Sequence, residues 1–110
     1  MQGTMVPVVL IPRFTTYAGE ADYESAPVDV TAFDRLVVEY SCTPVTGGGT
    51  VTCEFQDSHD ATTWFTLDSR TATGDARVDL SRRWLRVVVR VGPSQGLTCW
   101  CSGQLRRRVE

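Results

Sequence analysis

The sequence contains no lysine; all eleven basic residues are arginine. It has one histidine, two methionines and no apolar run near the length of about 20 residues that a membrane-crossing helix needs. The longest apolar run near the start, "MVPVVLIP", is interrupted by prolines, has no positive segment before it and has no clear small-residue cleavage site after it. The expectation is therefore neither a membrane span nor a signal peptide. Net charge is −2, which gives no general attraction to nucleic acid or to an anionic membrane. The absence of lysine has two readings: a GC-rich coding bias toward arginine, or selection for the bidentate and stacking contacts that arginine makes. Also absent are a phosphate-binding loop, a nucleophile elbow and a zinc-protease helix. No enzyme class is indicated.

What is present is alternation. "RLVVEYSC" sets Leu36, Val38, Tyr40 and Cys42 against Val37, Glu39 and Ser41. "TVTCEF" sets Val51, Cys53 and Phe55 on one face. "WLRVVVRV" sets Leu85, Val87, Val89 and Val91 against Trp84, Arg86, Val88 and Arg90, and "LTCWCS" sets Leu97, Cys99 and Cys101 against Trp100. A period of two marks strands with one buried face. Further strands are expected at Val6–Phe14, Trp64–Leu67 and Ala76–Leu80. Six to eight short strands without a helix predict an all-β fold, a single antiparallel β-sandwich. The 110 residues read as one domain, with an N-terminal arm over 1–5 and a charged tail over 104–110.

Two hairpins follow on paper. "TPVTGGGT" would join one pair, with Cys42 opposite Cys53. "GPSQG" would join the other, with Val89 opposite Cys99 and Val87 opposite Cys101. Both registers match inner face to inner face. The second also sets Trp100 opposite Val88, flanked diagonally by Arg86 and Arg90. These residues, with Trp84 and the tail arginines Arg106, Arg107 and Arg108, form a candidate contact surface, because tryptophan and arginine are enriched at interface hot spots. Exposed tryptophans also suit stacking on a sugar ring, so a glycan-binding module stands as the alternative.

The cysteines Cys42, Cys53, Cys99 and Cys101 lack the CxxC spacing of a zinc knuckle. Inward-facing strand cysteines act as small core hydrophobes; disulfides and a metal site remain the other readings. The turn "DSHDATT" gathers Asp57, Ser58, His59 and Asp60 just before Trp64. Neighbours in one turn do not make a catalytic triad, and the spacing is not that of a calcium loop. The expectation is a turn held by its own side chains, with Trp64 plugging one end of the sandwich. No metal or cofactor is expected.

The stretch "VDVTAFDRLVVEY…GGGTVTCEFQDSHDATTWFTLD" resembles small virion proteins of tailed bacteriophages. Val28 to Leu36 match their opening phrase, Gly47–Gly49 the glycine turn, and Ser58, Asp60 and Trp64 the next turn; "RRWLRVVVRV" is similar to the strand that follows. The last turn phrase also occurs in galactose-binding-like jelly rolls. Ala61 stands where the pattern has glycine, and His59 where it has asparagine. The resemblance implies a jelly-roll-like sandwich serving as a structural module of a virion, a capsid decoration or accessory head or tail protein. Its partners would be the major capsid or tail protein and further copies of itself.

Overall fold

The computed structural model describes residues 5–19, 22–46, 51–71, 74–90 and 95–107. These form nine strands: β1 (Met5–Gly19), β2 (Tyr23–Glu24), β3 (Val28–Asp29), β4 (Arg35–Thr46), β5 (Thr52–Ser58), β6 (Phe65–Thr71), β7 (Gly74–Asp79), β8 (Trp84–Arg90) and β9 (Gln95–Arg106). One sheet runs β1-β9-β4-β7; the other runs β2-β8-β5-β6, with β3 also pairing β8. All pairings are antiparallel. β2 and β3 lie along one partner, so they act as one interrupted strand. The architecture is that of a two-sheet jelly roll. Three strands are far from short: β1 has 15 residues, and β4 and β9 have 12 each.

The alternating residues named above fill the space between the sheets. Leu36, Val38, Tyr40, Cys42, Val51, Cys53, Phe55, Leu85, Val87, Val89, Cys99 and Cys101 are all buried. Tyr40 of one sheet meets Phe55 of the other edge to face, with ring centroids 5.9 Å apart. That geometry adds to the area the two rings remove from water.

The paper hairpins are corrected. β4 and β5 lie in different sheets, and so do β8 and β9. Cys42 is opposite Cys99, not Cys53, and Val89 is opposite Cys53, not Cys99. The reason is physical. Two apolar faces match equally well side by side in one sheet and face to face across a sandwich. Parity fixes the inner face of a strand and leaves its neighbour open. The glycine turn at 47–49 and the residues 91–94 lie outside the described residues.

The expected ends also change. Met5 already belongs to β1, and Gln104, Leu105 and Arg106 to β9, where Leu105 is buried. Arg107 donates from Nε to the Ala32 carbonyl at 3.1 Å. Residues 1–4 and Arg108 lie outside the described residues.

Candidate functional site

The expected tryptophan–arginine surface is not one surface. Trp100 lies on the outer face of the β1-β9-β4-β7 sheet, opposite Ser41, with the Arg13 guanidinium 4.0 Å from its ring. Arg86 and Arg90 lie on the outer face of the other sheet. Arg86 covers Trp64 instead, at 4.2 Å, and Arg83 covers Trp84 at 5.0 Å. Trp64 is thus half-buried beneath an arginine on the sheet face and does not plug the end of the sandwich. Each indole has a guanidinium on one face, a stacking worth about 0.5–2 kcal/mol. A sugar ring would have to use the remaining side.

The outer face of the second sheet is a laced polar ladder. Arg90 bonds Glu54, and its Nη1 lies 2.8 Å from Asp22. Arg86 donates to Gln56 Oε1 at 2.9 Å and to Glu24 at 3.3 Å. Gln56 and Thr66 in turn donate to Glu54 at 3.3 and 3.2 Å. The hydrogen bond from Arg90 and its charge hold Glu54 below the usual carboxylate range against its partial burial. Val88, expected at the surface, is only 2% exposed between these long side chains.

The turn after β5 is built as its residue types predict. Ser58 Oγ accepts from the amides of Asp60 and Ala61 at 3.2 and 3.0 Å and donates to Asp60 Oδ1 at 3.0 Å. Asp60 Oδ1 also accepts from the amides of Thr62 and Thr63, both at 2.9 Å. These bonds, the amides first, hold the Asp60 carboxyl below its ordinary range. Ala61 takes φ 61°, the left-handed conformation that glycine adopts without cost. His59 is exposed.

Asp57 departs from this turn. It continues the inner parity of Cys53 and Phe55 and is fully buried, with Oδ1 2.7 Å from Arg82 Nη1. Asp57 Oδ2 accepts no hydrogen bond among the described residues. Arg82 also lies 4.1 Å over the ring of Phe65, so one guanidinium pairs a buried carboxylate and caps an exposed aromatic ring. Asp57 and Asp60 therefore serve different partners and do not share an oxygen cage. Among the described residues no three metal-ligating side chains converge.

The sequence pattern did not show the feature with the most exposed apolar surface among the described residues. Met5 is 55% exposed, Val6 38% and Val9 61%, all on β1, and β1 is an unpaired edge of its sheet. Beside them, Pro7, Val37, Glu39, Ser102 and Gln104 line a shallow depression of about 450 Å³. The available signal was "MVPVVLIP": an apolar run without alternation, punctuated by two prolines, which suits an edge strand.

Neither a protein-family model nor a curated protein matches the chain. Among solved structures it is similar to a chain from Bacillus endospore appendages, which are described as a novel family of disulfide-linked pili. The TM-score is 0.59 at 16% identity, over 100% of this chain and 93% of that one. At that identity the likeness speaks to the fold.

Proposed function

We propose that this chain is a non-enzymatic structural subunit whose β1 edge is covered, in the working assembly, by another copy of the chain. The observation that carries the reading is the pairing of two properties on β1. It presents a row of unpaired strand edge and, among the described residues, the three most exposed large apolar side chains of its sheet. An exposed apolar edge is a template for strand addition, and on β1 the prolines and register shifts limit that row without covering its apolar side chains.

The setting we favour is a particle surface. The sequence resemblance over 27–91 points to the virion of a tailed bacteriophage, as a capsid decoration or an accessory head or tail protein. The fold likeness to a pilus subunit supports the broader statement, a protein that builds an extracellular structure from repeated copies. Sedimentation of the purified chain tests the reading. Concentration-dependent multimers, seen as regular rings, fibres or sheets by electron microscopy, are expected. A chain that stays monomeric at its highest soluble concentration, and does not bind particles lacking it, would overturn the proposal.

A further inference from the structure

β1 differs in charge from every other outer strand among the described residues. Its stretch Met5–Pro12 carries no charged side chain. β7, at the other edge of the same sheet, shows Asp75, Arg77 and Asp79 to solvent along its exposed face. β6, an edge of the second sheet, carries the Asp68–Arg70 ion pair at 2.8 Å. β2 and β3, which flank β8 on that sheet's other side, carry Glu24 and Asp29, paired with Arg86 and Arg83. An apolar strand laid along any of these edges would take charges out of water and give them no new partner. Among the described edges, β1 is the one that an apolar β1 matches.

We propose that the copy covering β1 is related to the first by a two-fold axis beside Val9, so that β1 lies antiparallel to β1 of the second copy. This rests on the reading that another copy covers the edge, and it names the surface of that copy which does so. A two-fold contact uses the same patch on both subunits, so the patch must complement itself. Val9 is the most exposed large apolar side chain among the described residues. Val9 and Pro7 stand opposite Ser102 and Gln104 of β9, on one face of the sheet. Val37 lines the depression beside them, which gives an apolar side chain of the second copy room to pack. Pro7 and Pro12 have no amide donor, and the pairing of β1 with β9 shifts register after Val9 and again after Ile11. The contact is therefore short, and apolar side chains carry it more than a ladder of backbone bonds does.

Paired in this way, the β1-β9-β4-β7 sheets of two copies join into one sheet with β7 at both ends. Those ends are the charged ones, so growth through this sheet's edges stops at two copies. Rings, fibres or larger sheets are then built from these dimers through another face.

Only a two-fold contact sets Val9 beside its own counterpart, and opposite charges detect that. Val9→Arg and Val9→Glu are made in the full chain. Each is measured by sedimentation alone and in equimolar mixture, beside the wild type, and native mass spectrometry identifies the mixed pair. Each variant alone should associate more weakly than the wild type, because like charges meet at the axis. The mixture should associate roughly tenfold more tightly than either variant alone, with the Arg–Glu pair as its main species. As a second measurement, Val9→Cys is oxidised and digested with trypsin, and the peptide Met1–Arg13 should be found linked to another Met1–Arg13. If the wild type associates but the mixture is no tighter than its components, the two-fold seating is overturned and the covered edge stands. A Val9→Cys link to any other peptide of the second copy overturns it in the same way. A wild-type chain that stays monomeric overturns both the seating and the covering by a second copy.

Discussion

The two outer strands of the β1-β9-β4-β7 sheet have the same position and opposite surfaces. β7 alternates cleanly: Ala76 and Val78 are buried, and Asp75, Arg77 and Asp79 are exposed. Arg35 of the neighbouring strand adds an ion pair to Asp79 at 3.4 Å. On the same flank, Arg82 caps the exposed ring of Phe65 at the start of β6. β1 shows Met5, Val6 and Val9 to solvent instead. Charges on an edge keep other strands away, and an apolar edge invites them. One flank is finished for water, and the proposal is that a second copy finishes the other.

Four substitutions probe this contrast, from the largest expected effect to the smallest. Arg82→Ala should cost about 3–5 kcal/mol in urea unfolding, because it strands the fully buried Asp57 carboxylate without its partner. It also uncovers Phe65, so the water-finished flank should begin to bind a hydrophobic dye. Gly103→Ala attacks the strand that carries β1. A Cβ there would lie 2.0 Å from the Val37 carbonyl oxygen and 2.7 Å from Val38 Cα, so β9 and β4 must part. The expected loss is about 2–3 kcal/mol by the same measurement.

Val9→Arg gives β1 the kind of charge that β7 already has. Monomer stability should change by no more than about 0.5 kcal/mol, since Val9 is exposed. Self-association measured by sedimentation should weaken at least tenfold, about 1.4 kcal/mol. Ala61→Gly lies on neither edge and is the control. It should stabilise the fold by about 0.5–1 kcal/mol, by relieving the left-handed alanine, without altering association.

The sequence carried a good part of this fold. Period-two alternation identified the inner faces of β4, β5, β8 and β9, the sandwich class followed from strand number and spacing, and the jelly-roll type came from the resemblance. Strand adjacency was not legible, because Cys42 matches Cys53 as a facing residue as readily as it would as a neighbour. For the same reason Trp100 fell beside Arg86 on paper and on the opposite side of the molecule in the structure. The Ser58–Asp60 turn was legible, since its bonds are local. The Asp57–Arg82 pair was not. Parity from Cys53 and Phe55 extends to Asp57, but its polarity argued for the turn, and its partner is 25 residues away. β1 was read as a strand, but an apolar run without alternation looks the same buried on both faces or bare on an edge.

The claim that β1 is covered and β7 is not can be read residue by residue from hydrogen exchange of the wild-type chain at rising concentration. The account predicts that amide protection over residues 5–11 increases with concentration while residues 74–79 do not change. Protection that is independent of concentration on both strands, or that increases on β7 and not on β1, would contradict it.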